Sequence, residues 1–417
     1  MRATKRSDRS DARQRRHGVR LYRAGQSVKS IVQKLKRSRS WLYKWIRYRA
    51  QHPWTSFRSG SRAPRHHPNQ TSRVVERRVL RLRHSLARHA SPEARFAGVG
   101  ARTIQRAYRK RYGPPPSLST IQRLLHRNHC TTLARRKRKR YRPHPPAPYP
   151  NAVQATDIIT RWITGGTVVQ AFHTVDVYSN DVSSTIHAHK GAADARQHLL
   201  NTWKTLWIPD LAQFDNESAF SGGRYARQIS QVVRLCLYFG IPVLFTPIDE
   251  ADYNWPVEIF NGLWSQQFWN RHHFSRRGDV SRVQRSFLDW YRTDYVAPRQ
   301  SDTPARLRRG HRIRRLPARW ADQVPDPLPI CAGYIQAVRR VDDAGYVRFL
   351  NEPIRIGKRY AGRYVWLTLD TRHQRLTVWY QPRAEADWRQ LKVRDYPLDE
   401  PVLPVPAKFA RLHHHPR

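Results

Sequence analysis

The sequence is short of acid, of cysteine and of long apolar runs, and each shortage excludes something. Only 30 Asp and Glu stand against 78 Lys and Arg in 417 residues, a formal net charge of +48. A purely structural surface has no need of such an excess. It fits a polyanionic partner, held by salt-sensitive attraction to phosphate. The three cysteines, Cys130, Cys236 and Cys331, lie far apart with no C-x-x-C pair. They predict reduced, structural thiols in a cytosolic setting. No apolar run of about 18 residues occurs, so no membrane span is expected. The first residues are charged and lack an apolar segment, so no secretory signal is expected either.

The scarce acids are unevenly placed. Residues 1–150 hold 41 Lys and Arg but 4 Asp and Glu; residues 151–300 hold 14 of each; residues 301–417 hold 23 and 12. A basic first third and a neutral middle point to different work. Within 1–55, Gly25 is a helix stop, and Ser27 and Ser38 are candidate N-caps. The pattern predicts three short helices. The third turns Trp41, Leu42, Trp45 and Ile46 inward and Arg39, Lys44 and Arg47 outward, as in a helix-turn-helix that reads the major groove. Residues 1–12 read as polar and disordered. Residues 71–133 have similar proportions, with a helix started by Ser119 or Thr120 that carries Arg123. Residues 134–150 are a linker: a basic run containing Arg136, Lys137, Arg138, Lys139 and Arg140, suited to backbone phosphate or single-stranded DNA, then a stiff proline-rich spacer.

The middle block, 151–297, opens with three strand signals (153–159, 167–177 and 181–189) and then alternates helix and strand. That order describes a ribonuclease H-like α/β layer. Residues 298–328 read as a linker. From 329 to 396 the hydrophobic period is two, with Gly, Asp and Pro between short runs, which predicts a small β-barrel. Residues 397–417 read as a tail. The expected fold is thus multidomain: all-α helix-turn-helix units, an α/β core and a small C-terminal β-barrel.

Three carboxylates in the core draw attention together. Asp157 sits inside a strand, where a charge is costly. Asp215 follows a short apolar run, and Glu258 lies in the first turn of a helix opened by Pro256. Taken singly, Asp215 with Asn216 also reads as a turn, and Glu258 as a favourable charge at a helix start. Taken together they would form a hard-oxygen cage for Mg²⁺ or Mn²⁺. Two such ions would serve phosphodiester transfer. Glu250 is a weaker third candidate, in a loop with no helix behind it. Asp176 reads as a turn residue, and His272 and His273 as surface or packing residues.

The residues Gln154-Ala155-Thr156-Asp157, Phe214-Asp215-Asn216 with Phe220, and Val257-Glu258-Ile259-Phe260-Asn261-Gly262 resemble the motifs of DDE transposases and retroviral-type integrases, bacterial insertion-sequence transposases above all. The resemblance implies Asp157, Asp215 and Glu258 as the catalytic triad, two divalent ions, and cleavage followed by strand transfer from a 3′-OH. It also implies double-stranded DNA as partner, homo-oligomeric synapsis of two ends, and a cytoplasmic, nucleoid-associated bacterial protein. The cysteine count excludes the His/Cys zinc module of retroviral integrases. Two features depart from the family: Glu217 stands where glycine is usual, and 43 positions separate Asp215 from Glu258, a longer interval than usual. The extra length is expected in a surface loop at 220–227. An inactive copy that regulates by binding DNA, and a nuclease without strand transfer, remain the alternatives.

Overall fold

The computed structural model describes residues 2–54, 56–58, 70–89, 94–131, 141–223, 225–297, 300–309 and 316–410. The chain divides into two compact units, 1–72 and 73–417. In the first, α1 (Arg2–Arg23), α2 (Val28–Leu35) and α3 (Arg39–Gln51) close around Leu21, Ile31 and Leu42. Ser27 accepts from the Ser30 N–H and Ser38 from the Trp41 N–H, so both expected caps form. Gly25 takes φ +83°, which lets the chain turn out of α1. The expected disorder of residues 1–12 is corrected: α1 already runs from Arg2, through a stretch with no Gly or Pro to stop it.

The second unit begins with α4 (Arg73–Ala87), α5 (Ala101–Tyr112) and α6 (Leu118–Arg127), packed through Val79, Leu82, Ile104, Tyr108, Ile121 and Leu124. The cap of α6 is Ser117 rather than Ser119 or Thr120; its Oγ accepts from the Thr120 N–H. The core strands are β1 (Gln154–Trp162), β2 (Val168–Asp176), β3 (Val182–His187), β4 (Ala212–Phe214) and β5 (Val243–Phe245). They lie in the order β3-β2-β1-β4-β5. β1 is antiparallel to β2 and parallel to β4, and β4 is parallel to β5. Three antiparallel strands followed by the parallel β4 and β5 match the order expected of this α/β layer. One face is covered by α7 (Ala192–Thr205) and, past the short α8 (Ser218–Ser221), by α9 (Gln231–Tyr238). Trp203, Val233 and Phe239 are buried there. The other is covered by α10 (Trp255–Gln267) and α11 (Arg277–Asp294), where Phe260, Trp264 and Phe287 meet Ala155, Val169 and Ala171.

The expected barrel does not form. After the short β6 (Ile330–Cys331), β7 (Tyr334–Arg340) pairs in parallel with β5 and extends the same sheet. A small hairpin, β8 (Tyr346–Phe349) with β9 (Glu352–Arg355), stands apart from it. β10 (Tyr364–Asp370), β11 (Arg375–Tyr380) and β12 (Arg389–Asp395) then continue the sheet antiparallel. The result is one mixed nine-stranded sheet. The reason is the open edge of β5: β7 satisfies its backbone groups, while Ile335, Ala337, Val365, Leu367 and Leu376 merge into the α9 core. A period of two reports alternation, not the partner. The expected tail is corrected likewise. β13 (Val402–Leu403) pairs with β6, and Phe409 is buried against Tyr238 and Phe239; residues 411–417 lie outside the described residues.

Candidate active site

The alternation of β1 decides where its carboxylate goes. Ala155 belongs to the core beneath α10, and Asp157, two residues on, shares its face. There Asp157 accepts hydrogen bonds from the Ile158 N–H (2.8 Å) and from Asn261 Nδ2 (2.6 Å) on α10. Asp215 follows the last residue of the parallel neighbour β4 and accepts from the Glu217 N–H at 3.1 Å. Glu258 lies in the first turn of α10, behind Pro256.

The three meet electrostatically. Burial pushes the Asp157 carboxyl up to about 6, against the pull of the Ile158 N–H; Glu258 pushes it up and Asn261 opposes. Burial and then the charge of Asp157 push Asp215 up to about 7. Glu258 is raised by burial and by Asp215. Among the described residues, no Lys or Arg forms an ion pair with any of the three, and only the charge of Lys190, beyond ion-pair distance, offsets part of the rise at Asp215. Nor, among the described residues, does any group of three or more His, Cys, Asp or Glu side chains stand in the arrangement of a metal cage. The donor chemistry nonetheless fits a hard divalent cation: carboxylate oxygens that, among the described residues, form no ion pair, and a buried Asn261 Oδ1 that bonds nothing beside Asp157.

Two neighbours, Asn254 and Arg339, were not singled out in the sequence. Asn254, 3% exposed, ties the whole site together. Its Oδ1 accepts from Gln213 Nε2 at 2.9 Å, and its Nδ2 donates to the Thr156 carbonyl at 3.3 Å. Thus the turn before α10 is pinned to both strands that present aspartates. Glu217, in the position usual for glycine, is a fourth carboxylate at the rim. Its charge raises Asp157 and Asp215, and Lys190 pairs with it at 2.5 Å. Asn216 donates to the Thr246 carbonyl and accepts from Arg339 of β7 at 2.8 Å. Arg339 is buried, bonds otherwise to carbonyls at 245, 246, 338 and 348, and is held below its ordinary pKa, at about 10, by desolvation.

Glu250 is engaged elsewhere, by Arg142 at 2.8 Å and by the Tyr364 hydroxyl at 2.5 Å. Asp176 accepts from the N–H groups of Asn151 and Ser179, as a turn residue does. His272 packs between Phe268 and Phe274. The loop expected at 220–227 is only partly one: Phe220 is fully buried in α8 and stacks on Phe214, centroids 4.8 Å apart. Arg39, Lys44 and Arg47 are exposed on α3, and Arg123 is exposed on α6, bonded to Thr120. Arg136, Lys137, Arg138, Lys139 and Arg140 lie outside the described residues.

A homeodomain-like domain model matches residues 9–50, and the N-terminal unit is such a helix-turn-helix domain. No curated protein sequence matches the chain. Solved structures similar to it include the HTLV-2 integrase catalytic core domain in complex with magnesium. That match has 16% identity and a TM-score of 0.32, covering 39% of this chain and 99% of that one. A simian T-cell lymphotropic virus intasome in complex with PP2A regulatory subunit B56 gamma matches at 16% identity and TM-score 0.36, covering 71% and 96%. The catalytic core domain of BIV integrase matches at 13% and 0.27, covering 37% and 92%. No helix among the described residues is long and apolar enough to cross a membrane.

Proposed function

We propose that the chain is a DNA transposase or integrase, a metal-dependent polynucleotidyl transferase that cuts a strand and joins the freed 3′-OH to target DNA. The observation that supports this reading is that Glu258 raises Asp157, Asp157 raises Asp215 and Asp215 raises Glu258, while among the described residues none of the three forms an ion pair with Lys or Arg. Asp157, Asp215 and Glu258 would hold Mg²⁺ or Mn²⁺. Ions there would supply charge neutralisation for the attacking and leaving oxygens of an in-line displacement.

The chain's own residues do the rest. Asn261 fixes one oxygen of Asp157 through its amide, leaving the other side of the carboxyl directed by the Ile158 N–H. Asn254 holds the start of α10 at its distance from the two aspartate strands. The homeodomain-like unit, with Arg39, Lys44 and Arg47 exposed, would grip the duplex at the element's ends. Arg123 and the cations at 136–140 would add phosphate contacts, and two copies of the chain would hold two ends.

A cleavage and strand-joining assay on the element's own terminal DNA, with Mg²⁺ or Mn²⁺, tests the proposal. Cleavage and joining that vanish in Asp157→Asn, Asp215→Asn and Glu258→Gln support it. Cleavage that survives all three overturns it. Binding without cleavage would leave a DNA-binding regulator, and cleavage without joining a nuclease.

A further inference from the structure

The C-terminal strands carry a second feature that the transfer chemistry does not use. One face of β10 and β11 is sealed in the core by Val365, Leu367, Leu369, Leu376 and Val378. The opposite face holds tryptophans. Trp366 and Trp379 are cross-strand partners, both half-buried, and Trp388 packs edge-on against Trp366 with centroids 5.8 Å apart. With Tyr141, Thr368 and Gln381 they line an open cleft of about 690 Å³. Its floor is pinned, because Trp366 Nε1 donates to Gln336 at 2.7 Å and the Tyr141 hydroxyl donates to Gln381. Among the described residues, the Lys or Arg at its wall is Arg142, which is paired with both Glu250 and Asp252. The cleft is therefore mainly aromatic, with amide and hydroxyl groups beside the rings and the charge of Glu385 acting on Tyr141 at its edge.

Charge enters from the chain that leads to it. Residues 135–140 are six consecutive Arg and Lys, and Arg140 is one peptide bond from Tyr141 at the cleft. Rings that offer flat faces, neutral hydrogen-bonding groups and a polycation that immediately precedes Tyr141 in sequence match a nucleic-acid strand with exposed bases: phosphates suit the cations and a base the rings. We propose that this cleft binds an unpaired base of a DNA strand, stacked against Trp379 and Trp388. It rests on the reading of the chain as DNA-acting, but not on its catalysis. A polycation alone would hold blunt duplex equally well; the cleft adds a preference for DNA that has an unpaired end.

The test compares the full chain binding a blunt labelled duplex and the same duplex with a single-stranded thymidine tail, by fluorescence anisotropy at fixed salt. The tail should tighten binding by about tenfold or more, the scale of one stacked base. Trp379→Ala and Trp388→Ala should each erase most of that gain and leave blunt-duplex affinity unchanged, while Trp379→Phe keeps part of it. An unchanged thermal melting curve shows that a variant is folded. Quenching of tryptophan fluorescence by free oligothymidylate should fall in the same alanine variants. Glu258→Gln should keep the full preference, which separates this site from the catalytic reading. Equal affinity for both duplexes in the unaltered chain overturns the proposal, as does a tail preference that survives the double alanine variant. So does displacement of the tail by a proline-rich peptide but not by oligothymidylate. Each of these would leave duplex binding, and with it the broader reading, in place.

Discussion

Asp215→Asn should stabilise the metal-free protein, and only above acid pH. A carboxyl whose folded pKa lies above its unfolded value binds its proton more tightly in the folded state. Ionising it therefore costs stability. The cost appears as pH rises through the ordinary value of 3.8, grows until pH passes about 7, and is constant beyond. That interval corresponds to a ceiling of about 4 kcal/mol. Part of the elevation comes from Asp157 and belongs to the coupled pair rather than to Asp215 alone, so we expect about 2 kcal/mol at pH 8. The asparagine keeps an Oδ1 to accept from the Glu217 N–H, so the loop is not disturbed. Thermal melting in a chelator at pH 8 should show the variant a few degrees above the parent, the gap closing by pH 4. Added Mg²⁺ should raise the parent's melting temperature at pH 8 and leave the variant's nearly unmoved. A variant that melts below the parent by the same margin at both pH values would refute the argument, because the site would then be held together by Asp215 rather than strained by its charge.

Other expectations follow from single contacts. Asn261→Ala removes the 2.6 Å amide donor to Asp157 and should lower metal affinity or cleavage about 10–100-fold, read in a Mn²⁺ titration of activity. Asn254→Ala strands Gln213 Nε2 and the Thr156 carbonyl and should cost about 1–3 kcal/mol in urea unfolding; a neutral result would mean the brace is not made. Arg339→Met removes charge-assisted bonds to Asn216 and four carbonyls and should destabilise by about 1.5–3 kcal/mol or more, with lost cleavage, measured by melting and by the strand assay. Replacing Arg39, Lys44 or Arg47 by Ala should weaken duplex binding and flatten its salt dependence by about one unit of slope for each residue that contacts a phosphate.

The parts of the molecule that were legible in the sequence are those ruled by local chemistry. Ser27 and Ser38 announce their helices because a cap is a contact over three residues. Pro256 marks the start of α10 for the same reason. Asp157 stands out because a charge inside an apolar strand is locally anomalous. What stayed hidden depends on long-range pairing. Nothing near Tyr334 says that its strand will lie beside Val243–Phe245, so 329–396 reads equally well as a barrel. Asn254 and Arg339 look like ordinary polar residues until the strands they brace are adjacent. Glu217 was visible as a departure from a family pattern, but its pairing with Lys190 was not. Phe220 read as loop because its glycine-rich flank outweighs one ring, and only the packing against Phe214 shows that the ring is core.

The parallel pairing of β5 with β7 has a consequence for the order of events during synthesis. Asp157, Asp215 and Glu258 are all made before the strand that flanks β5 exists. Until β7 has been made, β5 is an open edge and Asn216 lacks the guanidinium that holds it. A nascent chain emerging from the ribosome therefore carries every acidic residue of the site but not a finished site. The last structural brace arrives with Arg339, after the helix-turn-helix unit has long been free to fold. Such a chain could grasp DNA before it could act on it.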